Sequence, residues 1–344
     1  MARTRIKFWA YYLLGTAVVG LLIMEIAVRL LGYSPWNPDT RVKIAVDPGG
    51  SLTQTDSLLG YRHLPGSYHI ILPTGLEFDI THDEKSLRVT RPTDSYLEDQ
   101  LRPELWIFGG SFTHGWSLND HETFPWLVQE DVPDYNVINF GVGGYGTIQA
   151  LLRIEDLLEQ HRQPAVIVLA YSSLHDERNT FMRSRRKEVS AWNHLGSMRQ
   201  PVAVLDDDGI LSIKYEDVRY RAVPLTRYLA VSHVLDLAIN KVEHRFVDSH
   251  EITRNILDRI LKLAEAQEIP VVLAHIYTGP MSDSLMSWAR DLGFSVVDIS
   301  VDLRDEGMSN RPYDAHPSAL ANKHYSSTLL QHLKEEDLIE SSEQ

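Results

Sequence analysis

Ser111 follows two glycines, in Gly109-Gly110-Ser111-Phe112-Thr113, directly after the short apolar run Leu105 to Phe108. A serine in that place stands at the turn from a strand into a helix. Its hydroxyl can attack a carbonyl carbon there, and the glycines allow a tight turn and close approach by a substrate. The helix start adds unpaired backbone N–H groups and a positive dipole end, which can stabilise the oxyanion of a tetrahedral intermediate. A serine hydroxyl needs a base to become a nucleophile. Tyr313-Asp314-Ala315-His316-Pro317-Ser318 supplies a histidine two residues after an aspartate, so that the carboxylate can hold the imidazole tautomer while the other ring nitrogen faces Ser111. Taken singly each feature is ordinary: serine is a common helix cap, and one Asp-x-His among 15 histidines is weak evidence. Together they describe acyl chemistry, with Ser111 as nucleophile, His316 as base and Asp314 as its orienter.

The elements that must bring these residues together can be read from the hydrophobic pattern. Five short apolar runs, Leu105 to Phe108, Tyr135 to Phe140, Ala165 to Tyr171, Val271 to Ile276 and Phe294 to Ile299, read as strands. Helical spacing between several of them, over Gln149 to Gln160 and Glu251 to Ala266, and a closing helix from about Ser318 to Leu333 predict an α/β fold. A parallel sheet covered on both faces follows. Ligands of such sheets bind beyond the carboxyl ends of the strands. Three unusual loops fall at that edge: Gly109 to Thr113, Asn139 to Gly144, and Ser172-Ser173-Leu174-His175-Asp176.

Before this domain, Phe8 to Met24 is uncharged and mostly apolar, and the character continues to Leu31 with only Glu25 and Arg29 interrupting it. That is long enough to span a bilayer. Glu25 and Arg29 are four apart and can pair on one helix face. Arg3, Arg5 and Lys7 precede the run, which predicts a cytoplasmic N-terminus; the run reads as an uncleaved anchor, with a cleaved signal peptide as the alternative, and either reading places the rest of the chain outside the cytoplasm. Residues 1–31 are thus read as anchor and 32–100, rich in Pro, Gly and short alternating runs, as a β-rich extension. Residues 101–344 form the catalytic domain, with an insertion at about 177–248. Within the insertion, Arg183, Arg185, Arg186 and Lys187 read as a solvated loop.

With 33 Lys and Arg against 47 Asp and Glu, the net charge of −14 argues against a nucleic-acid partner. The absence of cysteine removes thiolate metal sites, disulfides and a cysteine nucleophile. No compact histidine ligand pattern appears in the sequence, so neither metal nor organic cofactor is expected.

These blocks resemble those of the SGNH/GDSL hydrolases over roughly residues 104 to 335. Gly109-Gly110-Ser111-Phe112-Thr113 is similar to block I, which carries the nucleophile. Gly144, five residues after Asn139, matches the block II glycine, and Asp314 and His316 with Pro317-Ser318 resemble block V. The resemblance implies a flavodoxin-like three-layer sandwich with a parallel central sheet. It also implies an oxyanion hole from the N–H groups of Ser111 and Gly144 together with the block III side chain. Thr113 stands where the nucleophile elbow of an α/β-hydrolase needs glycine, which sets that family aside. Two positions depart from the pattern. Gly110 replaces the aspartate of Gly-Asp-Ser, and His175 stands for the block III asparagine, where it either donates to the oxyanion or only orders its loop. The arrangement of anchor, extension and SGNH domain is similar to bacterial envelope proteins that handle acyl groups on polysaccharides. It implies a single-pass protein of the inner membrane with its catalytic domain in the periplasm, acting on an acylated carbohydrate or other ester. The leading expectation is a serine esterase that removes acyl groups, O-acetyl in particular, from an envelope or exported glycan. The alternatives are an O-acyltransferase using the same triad, and a non-catalytic, membrane-tethered glycan-binding component. Trp116 and Trp192 could stack on sugar rings, although core packing is the plainer role for each.

Overall fold

The computed structural model describes residues 2–37, 44–92, 102–190, 198–243, 245–277, 279 and 282–340. In chain order the elements are α1 (Ala2–Leu30), β1 (Ala45–Asp47), β2 (Thr53–Asp56), β3 (Gly60–His63), β4 (Gly66–Ile71), β5 (Glu77–His82), β6 (Glu104–Phe108), α2 (Ser111–His114), α3 (Phe124–Asp131), β7 (Asn136–Asn139), α4 (Thr147–Glu159) and β8 (Val166–Ser172). They continue with α5 (Leu174–Asn179), α6 (Arg183–Ser190), β9 (Arg199–Leu205), β10 (Leu211–Asp217), α7 (Ala230–Glu243), α8 (Ser249–Glu265), β11 (Val271–Tyr277), α9 (Ser282–Leu292), β12 (Ser295–Asp298) and α10 (Ala319–Glu335).

The chain groups into two compact units. The larger takes in Val42–Phe181, His194–Val218 and Asp248–Gln344 and is built on a five-stranded sheet in the order β12-β11-β8-β6-β7. All four strand pairs are parallel, with registers such as Leu105↔Val166 and Ala274↔Ala170. This is the flavodoxin-like order of a three-layer α/β fold, with the first two strands of the sheet running one way from its centre and the rest the other. Every residue of β8 is buried, as a central parallel strand covered on both faces requires. Alternate residues of β6 point to opposite faces. Leu105 and Ile107 join a core with Phe124 and Val128 of α3 and Tyr325 and Leu329 of α10. Trp106 and Phe108 pack with Phe140, the last two rings stacked 4.6 Å apart. Helix α8 starts at Asp248, whose carboxylate accepts from the Glu251 N–H at 3.0 Å, and buries Ile252, Ile256, Leu257, Ile260 and Leu261 on one stripe.

The extension belongs to this unit. It forms an antiparallel sheet in the order β1-β4-β5 and a β2–β3 pair. Tyr68, Ile70, Phe78 and Ile80 alternate inward, with Trp116 packed against them edge-on to Phe78. Trp116 is therefore a packing residue, and Trp192 lies outside the described residues. Residues β9 and β10 pair over seven positions as an antiparallel hairpin within the stretch read from the sequence as a long insertion.

The smaller unit takes in Met1–Arg41, Met182–Asn193 and Arg219–Val247. In α1, Trp9–Leu30 is a 22-residue stretch of mean hydropathy 2.0, long and apolar enough to cross a membrane. Arg29 and Glu25 pair at 2.6 Å, as their spacing predicts. The basic run at 183–187 departs from expectation: it is helical, not a solvated loop. Lys187 donates to Asp236 of α7 at 2.7 Å and Arg183 at 3.2 Å, while Tyr220 donates to the same fully buried carboxylate at 2.5 Å. A buried carboxylate is tolerable only with such partners. The hydrogen bonds from Lys187 and Tyr220 outweigh burial and hold the Asp236 carboxyl below its usual range.

Candidate active site

Strand β6 ends at Phe108 and the chain turns through Gly109 and Gly110 into α2, which opens on Ser111. The turn is tight enough that a Cβ at Gly109 would lie 2.0 Å from the Thr113 hydroxyl oxygen. Across the site, the loop after β12 carries Asp314 and His316 before Ser318 caps α10 by accepting from the Ala321 N–H at 3.3 Å. The imidazole Nε2 of His316 lies 3.0 Å from Ser111 Oγ, and its Nδ1 lies 2.6 Å from Asp314 Oδ1. The three groups predicted from the sequence therefore share one chain of hydrogen bonds, although 205 residues separate the outer pair. If Asp314 is ionised it accepts from Nδ1–H, and Nε2 is left as the acceptor for the serine hydroxyl.

Asp314 is ionised for an identifiable reason. Burial opposes its charge, but hydrogen bonds and charge from His316, the His316 backbone N–H at 2.8 Å and the Ser117 hydroxyl at 3.1 Å prevail, holding the carboxyl below its ordinary range. Ser117 is held in turn by Asn310, whose amide donates to its hydroxyl and its carbonyl, both at 3.0 Å. Phe112 meets the His316 ring edge-on at 5.7 Å and limits its tilt. Ser117, Asn310 and Phe112 were not singled out in the sequence. Their types are common, and their contacts span up to 204 positions, so nothing local marks them.

The other predicted loops also come to this edge. His175, in α5 after β8, is buried, and a Cβ at Gly110 would lie 3.5 Å from its Nε2, 2.9 Å from Arg178 Nη1 and 3.5 Å from the Tyr145 carbonyl oxygen. The two departures from the Gly-Asp-Ser and asparagine pattern are thus neighbours: Arg178 and His175 fill the space a residue-110 side chain would need. Burial, with help from the Arg178 charge, pushes the His175 pKa down to about 3, so its ring is neutral. Its Nδ1 lies 3.5 Å from the Thr147 hydroxyl. Gly144 adopts φ +83°, a left-handed conformation suited to glycine, in the loop whose Tyr145 carbonyl faces Gly110. Asn139 does not face the nucleophile. Its amide donates to the Thr113 carbonyl at 3.0 Å and its oxygen accepts from Gly141 N–H at 2.9 Å, tying the β7 loop to α2.

Beneath α2 lies a cluster invisible in the sequence. His63 of β3, His82 of β5 and His114 are all buried. His82 and His114 aim Nε2 at each other across 3.0 Å, and His63 stacks over both, its ring centre 4.1 and 4.4 Å from theirs. Ring nitrogens of all three fall within 4.8 Å of one another. A metal ion needs lone pairs converging on one point. Here one pair of nitrogens is engaged in a mutual hydrogen bond, and the third ring lies flat over it with its lone pairs directed alongside. The three rings pack closely, and His63 Nδ1 and Nε2 and His114 Nδ1 are buried without a hydrogen-bond partner among the described residues. Burial, reinforced by the charge of Arg88, lowers all three pKa values, that of His63 to about 3.

Arg88 itself is fully buried and has all five N–H donors placed. Nε donates to Asp120 Oδ1 at 2.8 Å, and the terminal nitrogens reach the carbonyls of His114, Gly115, Asp79 and Leu118 at 3.3, 3.0, 3.1 and 2.8 Å. One side chain of the extension thereby fixes the backbone between α2 and Ser117.

No protein-family model matches this sequence, and no curated protein does either. Among solved structures, the fold is similar to a crystal structure of TesA, at 15% identity over 69% of this chain and 99% of that one, with a TM-score of 0.39. A lipolytic protein of the G-D-S-L family from Desulfitobacterium hafniense DCB-2 is similar at 16% identity over 67% and 100% of the two chains, TM-score 0.39. A family two carbohydrate esterase from Clostridium thermocellum, solved in complex with cellohexaose, is similar at 9% identity over 69% and 65%, TM-score 0.36. What the site can do follows from its own geometry.

Proposed function

We propose that this protein is a serine esterase of SGNH/GDSL type that cleaves acyl esters through an acyl-enzyme on Ser111. The observation that carries this reading is the unbroken line from Ser111 Oγ to His316 Nε2, 3.0 Å, and from His316 Nδ1 to Asp314, 2.6 Å. His316 takes the hydroxyl proton as Ser111 Oγ attacks the ester carbonyl, and Asp314 stabilises the imidazolium that forms. The imidazolium then protonates the leaving alcohol, and a water, activated by the same base, releases the acid. The oxyanion is met by the Ser111 N–H, which has no partner within the helix it opens, by the Gly144 N–H, and by Nε2–H of neutral His175. The Thr147 hydroxyl, 3.5 Å from His175 Nδ1, can donate to it, which is compatible with the proton sitting on Nε2.

The substrate class we propose is an O-acetylated envelope or exported glycan, reached from a single-pass anchor with the site on the extracytoplasmic face of a bacterial inner membrane. The apolar span of α1, preceded by Arg3, Arg5 and Lys7, supports the anchoring and its orientation. The full chain in mild detergent should hydrolyse a small activated acetyl ester, and Ser111→Ala should lower the rate by at least about a thousandfold. Equal rates in the two proteins would reject Ser111 as nucleophile. Supplying a glycan acceptor and analysing products separates hydrolysis from acyl transfer, since both use the same acyl-serine.

A further inference from the structure

Helix α7 is amphipathic in the inverse sense for a protein surrounded by water. Its buried side chains are Ala230, Asp236 and Asn240, the last two facing Arg183, Lys187 and Tyr220. Its outward face is apolar: Leu235, Ile239 and Val242 are 52%, 40% and 45% exposed, and Phe246, one turn on, is 82% exposed. Within α7, which ends at Glu243, the spacing of four and three puts Leu235, Ile239 and Val242 on a single stripe, and Phe246 follows in the turn just beyond. Leu225 and Tyr228, just before the helix, are also exposed. A continuous apolar face of this kind marks a surface that meets something other than water.

The start of α7 is pinned to the apolar helix of the same compact unit. The Glu25 carboxylate of α1 accepts from the first two N–H groups of α7, those of Ala230 and Val231, at 2.9 and 3.0 Å. Arg29 donates to the Tyr228 carbonyl at 3.2 Å, and the Trp36 N–H donates to the Thr226 carbonyl at 2.9 Å. Glu25 precedes Leu30, the end of α1, by five residues. At 1.5 Å per residue that places the α7 start only about 8 Å inside the end of the apolar stretch. Interfacial helices bury their apolar face about 5–10 Å into the headgroup–acyl boundary, so the depth matches. Around this junction α1 is itself apolar and exposed at Ile26 and Leu30, as is Leu31 just after it.

We propose that α7 is an interfacial helix, its Leu235–Ile239–Val242 stripe, with Phe246 just after it, inserted in the membrane leaflet at the Leu30 end of α1. This rests on α1 spanning that membrane, and the test separates the two. Because the chain has no cysteine, single cysteines report cleanly. Ile239→Cys and Val242→Cys, both at exposed positions, would be labelled with an environment-sensitive fluorophore in full chain reconstituted into phosphatidylethanolamine/phosphatidylglycerol nanodiscs. Leu21→Cys serves as the reporter within the span and Lys214→Cys of β10 as the aqueous one. The expected result is quenching at 239 and 242 by lipids spin-labelled near the headgroup, with iodide quenching at least about fivefold weaker than at Lys214→Cys. Iodide access at both positions without lipid quenching, while Leu21→Cys is quenched by lipid, would overturn the proposal and leave the span intact. Protection from both quenchers would also overturn it, by assigning the stripe to a protein surface. Failure of lipid to quench Leu21→Cys would remove the span and the proposal together.

Discussion

Acidification should destabilise the catalytic unit through its buried histidines, and His63 gives the cleanest measure. Its pKa in the fold is about 3, against 6.5 for an unperturbed imidazole, because burial and the Arg88 guanidinium both oppose a second positive charge. Between those values the unfolded chain binds a proton that the native fold refuses, so native stability rises with pH and falls as pH drops below about 6.5. From pH 7 to pH 5 one such group costs about 2 kcal/mol, since protonation of the unfolded side chain gains free energy at about 1.4 kcal/mol per pH unit below its pKa. His82 and His114 contribute with the same sign. The perturbation is His63→Phe, which keeps a flat ring over the His82–His114 pair and removes the titrating group. Any overpacking it causes acts equally at both pH values and cancels in the difference. Urea unfolding in detergent, followed by tryptophan fluorescence at pH 7 and pH 5, gives the two stabilities by linear extrapolation. The wild type should lose about 2 kcal/mol more than His63→Phe over that interval. Identical losses would show that His63 is not held neutral, and the account of the stacked cluster would fail.

Arg88→Ala should cost about 3–5 kcal/mol, because it takes the guanidinium away from four carbonyls and from the Asp120 carboxylate, which keeps the Thr81 N–H at 3.0 Å. The same thermal or urea titration measures it, and a loss below about 1 kcal/mol would mean water replaces the guanidinium without penalty. For His175 the expectation concerns pH. With its pKa at about 3, the ring donates as a neutral group throughout the working range, so the ratio of wild-type to His175→Ala ester hydrolysis should stay flat from pH 5 to pH 8. A ratio that climbs as the pH falls would identify a cationic donor instead.

The residues proposed to perform the chemistry were legible because few side chains can do what that proposal asks of them. A hydroxyl after a strand and an Asp-x-His before a helix restrict type, spacing and order at once, and the folded chain joins them at 3.0 and 2.6 Å. The sheet was legible for a related reason: β8 and β11 are buried on both faces, so their sequences run apolar without a break, and they fall within a residue or two of the expected spans. What holds the site was not legible. Arg88, Ser117, Asn310 and the histidine cluster act across 9 to 197 positions, and each type is common on surfaces. Nor does the run from Arg183 to Lys187 reveal its burial, because the carboxylate it surrounds, Asp236, is 49 residues beyond Lys187. Helix α7 misleads for the opposite reason: its pattern is a good amphipathic helix, but pattern alone does not tell which face meets the protein.

The two departures in the site motif are best understood as one. An aspartate at position 110 would put its first side-chain atom 2.9 Å from Arg178 Nη1 and 3.5 Å from His175 Nε2. Such a carboxylate would compete with the Tyr145 carbonyl, to which Arg178 now donates at 3.0 Å, for the same guanidinium. That bond links α5 to the loop carrying Gly144, so losing it would loosen two of the three proposed oxyanion donors together. With glycine at 110 the guanidinium stays on the carbonyl, and the imidazole has room to approach the nucleophile's turn. Gly110 thus follows from His175 and Arg178 occupying this space, and a histidine in place of asparagine here need not signal a decayed enzyme. The departure leaves the Ser111–His316–Asp314 line untouched and changes only a group proposed to face the oxyanion.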